Sequence, residues 1–141
     1  YKGLPHYDIY ADIEKKSKAV TVYNGNIDSI DSLHNFGLTE NSTVMIGRGM
    51  LSNPAIFREM KGGEPFAPVE LEGFLNQICD NYMSDFSGEI PVLHKLKEIW
   101  TYMGPYLIKT KNIDEKLIKK LLKSKRLSEY NIYKKEIIRA L

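Results

Sequence analysis

A chain of 141 residues, 43% hydrophobic and 27% charged, can bury the core of one ordinary domain or two small ones, yet it is too short for a complete (β/α)8 barrel, which needs roughly 250 residues. No apolar run approaches the roughly 20 residues of a membrane span, residues 1–13 lack the pattern of a secretion signal, and the single cysteine, Cys79, excludes an intramolecular disulfide, so a reducing cytoplasm is the expected setting. The net charge of +2 hides an asymmetry: residues 1–88 carry 7 Lys and Arg against 12 Asp and Glu, whereas residues 89–141 carry 13 against 6, a balance that suits a polyanion partner for the last third.

Along the chain, Ile9, Tyr10 and Ile13 repeat at helical spacing before the β-branched run Val20-Thr21-Val22, which ends at Asn24-Gly25. Asp28 is a candidate N-cap for a helix with the apolar stripe Ile30, Leu33 and Phe36, and Gly37 stops it. Thr43-Val44-Met45-Ile46 forms a second strand-like run closed by Gly47-Arg48-Gly49, and Asn53-Pro54 opens a helix that ends at Gly62-Gly63. From Pro65 the strand signal is gone. Leu71, Phe74, Leu75, Ile78 and Tyr82 mark one amphipathic helix; Val92, Leu96, Ile99, Trp100 and Met103 a second; Leu117, Leu121 and Leu122 a third; Tyr133, Ile137 and Ile138 a fourth. The expected fold is therefore α/β followed by all-α, with a boundary between residues 62 and 68 and a small helical bundle beyond it.

In a parallel α/β protein, ligands bind in the turns after the strands, where backbone N–H groups and a helix N-terminus converge. Asn24-Gly25 and Gly47-Arg48-Gly49 occupy such turns. Glycine lets a backbone approach a phosphate closely, and Arg48 adds a charge-assisted donor. A (β/α)8 barrel builds its phosphate site from the loops after its seventh and eighth strands, and two consecutive units here each carry a glycine turn. Each glycine taken alone also fits an ordinary tight turn.

The string Tyr23-Asn24-Gly25-Asn26-Ile27, followed by Val44-Met45-Ile46-Gly47-Arg48-Gly49 and Asn53-Pro54-Ala55-Ile56-Phe57, resembles the tRNA-dihydrouridine synthases. Tyr1-Lys2-Gly3 is similar to the family's segment before its seventh repeat, and His94-Lys95-Leu96-Lys97, more weakly, to a basic element of its helical tRNA-binding domain. The resemblance implies that residues 1–64 are repeats seven and eight of an FMN-binding TIM barrel, and that residues 65–141 are the helical domain. It implies FMN-dependent, NADPH-driven reduction of uridine to dihydrouridine in tRNA, with Asn24, Gly25, Asn26, Gly47 and Arg48 at the cofactor phosphate and His94, Lys95 and Lys97 at tRNA. The family usually has aspartate where Asn26 stands. Its active-site cysteine belongs to a segment upstream of repeat seven, so this chain alone is expected to be inactive and, with uncovered sheet edges, to self-associate.

Other residues carry less. Cys79 shares the apolar face of its helix and reads as core. His6, His34 and His94 are too scattered for a metal site. The last third interleaves lysines with Trp100, Tyr102, Tyr106, Tyr130 and Tyr133, a mixture suited to RNA phosphates and unpaired bases, or simply to a solvated bundle. Two alternatives stay open: a non-catalytic RNA-binding helical module, and another FMN-dependent TIM-barrel oxidoreductase acting on a small molecule.

Overall fold

The computed structural model describes residues 3, 5–39 and 42–141, so Tyr1 and Lys2 of the Tyr1-Lys2-Gly3 string lie outside the described residues. The chain divides into two compact units, Tyr1–Pro65 and Phe66–Leu141. Among the described residues all regular structure is helical, and the one trace of sheet is an isolated parallel bridge between Tyr23 and Val44. The expectation of α/β barrel repeats is thus corrected: the chain is all-α. The reason is physical. A parallel pair is stable inside a sheet whose neighbours cover both faces, but here Val20 is 87% exposed, Met45 53% and Val22 49%. Val44 and Ile46 pack on the core, but with the other face of each run uncovered, both β-branched runs stay irregular beyond a single bridge.

The first unit contains α1 (Tyr7–Lys16), α2 (Ile30–Asn35), α3 (Arg48–Ser52) and α4 (Ile56–Met60). Its core is Tyr23, Ile27, Leu33, Leu38, Ile46 and Ile56, with Tyr7, Tyr10, Phe36, Val44 and Met60 packed around them. The apolar spacing seen in α1 does not mark its inner face, since Ile9 and Ile13 are more than half exposed. Tyr7 and Tyr10 face inward instead, with ring centroids 5.8 and 5.0 Å from that of Tyr23 in edge-to-face geometry. The N-cap of α2 is Ser29 rather than Asp28: Ser29 Oγ accepts from Ser32 N–H at 3.1 Å, and Ser32 Oγ accepts from Ser29 N–H at 3.0 Å, a reciprocal cap. Gly37 ends α2 at φ +69°, where a side chain would be strained.

The second unit comprises α5 (Pro68–Asp85), α6 (Glu89–Lys111), α7 (Glu115–Lys123) and α8 (Leu127–Arg139). Helix α5 starts with proline in its first turn, where no N–H is needed, and Glu70 accepts from Ala67 N–H at 2.7 Å. Helices α5 and α6 both pack on α8, and α7 packs on α6 and α8. Leu75, Val92, Leu96, Trp100, Met103, Leu107, Leu121, Tyr130 and Ile137 are fully buried at the centre. Trp100 Nε1 donates to Tyr130 Oη at 3.0 Å inside this core, so both large polar rings are satisfied there. A Cβ on Gly104 would lie 2.7 Å from Ile118 Cγ2; this glycine gives α7 its seat on α6.

Candidate functional site

The Tyr23–Val44 bridge sets the geometry of the glycine turns. Tyr23 N–H donates to Thr43 O at 3.0 Å and Met45 N–H to Tyr23 O at 2.8 Å, so the two segments run the same way and both turns leave them on the same side. Asn26 adopts φ +43°, a left-handed conformation that asparagine tolerates better than most residues. Across the gap, Arg48 Nη2 donates to Asn26 Oδ1 at 2.6 Å, tying the second turn to the first. A Cβ on Gly49 would stand 2.3 Å from Ile27 O and 3.0 Å from Asp28 Cα, so the two backbones touch where only glycine fits.

The three glycines have different surroundings. Gly47 has nothing within 4 Å of an added Cβ, and its face is open. Gly25 is closed in by Pro5 and by Tyr23 Oη, each 2.9 Å from an added Cβ, so its small size already has a packing reason. Asn24, Asn26, Gly47 and Arg48 are exposed and Gly25 is half-buried. Beneath Gly25, the Tyr23 hydroxyl is buried with no hydrogen-bond partner, and burial together with the neighbouring Tyr7 raises its pKa.

Sequence reading missed a second tie. Asn53, 2% exposed, accepts from Ala55 N–H at 3.0 Å through Oδ1 and donates through Nδ2 to Glu59 Oε2 at 2.9 Å. It is the C-cap of α3 rather than the cap of a following helix, and it fixes the element that bears Arg48 and Gly49 to α4. No spacing rule links an asparagine to a glutamate six residues on.

In the second unit, α6 carries His94, Lys95 and Lys97. His94 and Lys95 are exposed, and Lys95 pairs with Glu98 at 3.0 Å, an interaction that raises its pKa. Lys97 is half-buried, and its ammonium donates to the carbonyl of Ser124, the C-cap of α7. Trp100 and Tyr130 are core and offer no ring to a base, while Tyr102, Tyr106 and Tyr133 are half-buried. Cys79 is half-buried in α5; burial pushes its thiol up, against the pull of Lys134. Among the described residues no three His, Cys, Asp or Glu gather as metal ligands, and no helix is long and apolar enough to cross a membrane.

The family model for dihydrouridine synthase matches residues 1–127. The chain belongs to the dihydrouridine synthase family. No curated protein and no solved structure matches it. Membership gives the chain a role in dihydrouridine synthesis in tRNA, and the match takes in both the glycine turns and the first three helices of the second unit.

Enzymes of this family are generally flavin-dependent, so the turns can be tested against a flavin phosphate. They fit one. Gly47 leaves room for a group beside the exposed Arg48, and Arg48 is bonded to a neutral amide, so its positive charge is not cancelled. Asp28, whose exposed carboxylate accepts from Ser29 Oγ at 3.2 Å, follows Asn26 of the first turn by two residues.

Proposed function

We propose that the chain serves the FMN-dependent, NADPH-driven reduction of uridine to dihydrouridine in tRNA by holding two phosphate-bearing partners, one in each unit. Bound FMN, recharged by NADPH, would supply the hydride chemistry. The chain's own part is to bind and orient. Arg48 grips the phosphate, Asn26 fixes the Arg48 guanidinium by accepting its hydrogen bond, and the backbone of Asn24, Gly25 and Gly47 lines the approach. His94 and Lys95 face the RNA, and Lys97 acts through its hold on the end of α7. No residue is assigned to proton transfer: the thiol of Cys79 is half-buried in α5, and burial pushes its pKa up. The chain alone is therefore expected to bind without reducing uridine.

The observation that carries this reading is the Arg48–Asn26 bond, which joins two glycine turns across 22 residues of sequence and leaves a cation beside open space. Its test compares FMN with riboflavin, which lacks the phosphate, by quenching of flavin fluorescence. The wild-type chain should bind FMN about tenfold or more tightly than riboflavin, since a charge-assisted hydrogen bond is worth about 1.5–3 kcal/mol. Arg48→Ala should erase that preference. Equal affinity for the two flavins in the wild-type chain, or no binding of either, sinks the cofactor assignment. Turnover of uridine by this chain supplied with FMN, NADPH and tRNA would sink the assignment of a purely binding role.

A further inference from the structure

The basic charge of the second unit is not spread evenly. Residues 89–108, which include His94, Lys95 and Lys97, hold two Lys and Arg against two Asp and Glu, whereas residues 109–126 hold eight against two. The excess of cations thus falls on the end of α6, on α7 and on the turn into α8. Helix α7 arranges it. Lys116, Lys120 and Lys123 are spaced i, i+4 and i+7 and all are exposed, with Lys119 beside them. Ile118 and Leu121, 3% and 0% exposed, turn the other way into the bundle. Lys119 is paired with Glu115 at 3.0 Å, but Lys116, Lys120 and Lys123 have no ion pair among the described residues. Lys125 and Arg126, both exposed, extend the same charge past the end of the helix.

We propose that this lysine face of α7, continued by Lys125 and Arg126, is the main surface on which the chain holds the phosphate backbone of a folded RNA, with His94 and Lys95 at its margin. The inference rests on the RNA reading above and names the surface that carries it. Nine residues of helix span about 13 Å, and a double helix presents about one negative charge per 1.7 Å of axis, so three or four lysines at one-turn intervals each find a phosphate. A lipid surface is the poorer occupant. A basic amphipathic helix binds a bilayer by inserting its apolar face, and Ile118 and Leu121 are already enclosed by α6 and α8. Gly104, which seats Ile118, and Lys97, which donates to the last turn of α7, hold the helix with its lysines outward. Lys97 is then a positioning residue, its ammonium placed where the helix dipole is negative.

The test measures binding of the whole chain to an unmodified tRNA transcript over a range of salt concentrations. It compares the wild type, a combined Lys116→Gln, Lys120→Gln, Lys123→Gln variant, and a combined His94→Gln, Lys95→Gln variant. All five side chains are exposed, and far-UV circular dichroism verifies that each variant is folded. The α7 variant should flatten the slope of log K against log salt by about 3, one for each phosphate that is no longer neutralised, and the α6 variant by about 1 or less. A larger effect from the α6 variant overturns the placement on α7 but leaves the RNA reading intact. Wild-type chain that binds tRNA with no salt dependence, or not at all, overturns both. Vesicles of phosphatidylserine and phosphatidylcholine form the last arm: binding to them that exceeds tRNA binding and disappears in the α7 variant assigns the face to a lipid surface and overturns the proposal.

Discussion

Gly47 and Gly49 stand two positions apart in one turn, and the structure gives them opposite sensitivities to a methyl group. In Gly49→Ala the new Cβ would lie 2.3 Å from Ile27 O, 2.9 Å from Ile46 Cγ2 and 3.0 Å from Asp28 Cα. Two of these atoms are backbone, so no rotamer change relieves the clash. Restoring ordinary carbon packing distances requires the segments to part by roughly 1 Å, and the 2.6 Å Arg48–Asn26 bond lies across the same gap. Overpacking of this kind costs about 3 kcal/mol, and the better helix propensity of alanine within α3 returns about 1, leaving about 2 kcal/mol of destabilisation. Gly47→Ala places its methyl in open space at φ −103°, which any residue adopts, and should cost nothing measurable in stability. Hydrogen exchange reads this locally, because the amides of Tyr23 and Met45 form the hydrogen bonds of the single bridge. They should exchange about 30-fold faster in Gly49→Ala and at the wild-type rate in Gly47→Ala. Protection within about threefold of wild type in Gly49→Ala, or an equal drop in both variants, would refute the close backbone approach.

Tyr23→Phe removes a buried hydroxyl that has no partner and should stabilise the first unit by about 1 kcal/mol in urea unfolding; a loss of stability would mean that the hydroxyl has a partner after all. Trp100→Phe leaves the Tyr130 hydroxyl without its donor and opens a cavity in the centre of the second unit, so unfolding followed by far-UV circular dichroism should show a loss of about 2–4 kcal/mol. Burial pushes the Tyr130 hydroxyl up to about 12 from an ordinary value of 10.0, against the pull of Trp100. The unfolded chain therefore loses that proton first, and about 2–3 kcal/mol of stability present below pH 10 should disappear between pH 10 and 12. Tyr130→Phe should lack that share of the alkaline decline, and an unchanged decline in the variant would contradict the burial.

How much of this was legible in the sequence depends on how local each feature is. The helices of the second unit follow from spacing over three or four residues, as with Leu71 and Leu75 or Leu96, Trp100 and Met103, all of which are buried. The strand-like runs at Val20–Val22 and Thr43–Ile46 show the same local strength, but whether such a run becomes a strand is settled by distant neighbours, and only Tyr23 and Val44 meet. Propensity was overruled by the absence of a sheet to join. The pairing of the glycine turns could be seen in their repetition, whereas the Arg48–Asn26 and Asn53–Glu59 bonds leave no periodic mark. The α7 lysines did leave one. Their i, i+4, i+7 spacing is visible in the sequence, whereas the ion pair that occupies Lys95 and the hold of Lys97 on the Ser124 carbonyl are not.

Helical spacing also tells which lysines are turned inward. Lys134 lies four residues after Tyr130 and three before Ile137, both fully buried, so it falls on the core face of α8 and is itself only 4% exposed. Its ammonium donates to Asn76 Oδ1 at 2.6 Å and lies 5.9 Å from the centre of the Tyr130 ring, with no ion pair to a carboxylate among the described residues. Burial lowers its pKa from 10.5; Cys79, Glu72 and Asp80 oppose the shift and Lys135 adds to it. In the window between the lowered folded value and 10.5 the unfolded chain holds more protons than the folded one, so this group makes stability rise with pH there. Below that window its cost is fully present. Lys134→Met keeps the volume and removes the charge, and with it the desolvation cost that lowers the lysine's pKa, at the loss of its hydrogen bond to Asn76. At pH 7 the variant should therefore be at least as stable as the wild type, and its advantage should shrink as the pH rises toward 10.5. Unfolding in urea at several pH values decides the matter. An advantage that grows with pH, or a variant less stable at pH 7 by more than about 1 kcal/mol, would show that the Asn76 hydrogen bond outweighs the cost of burying the charge.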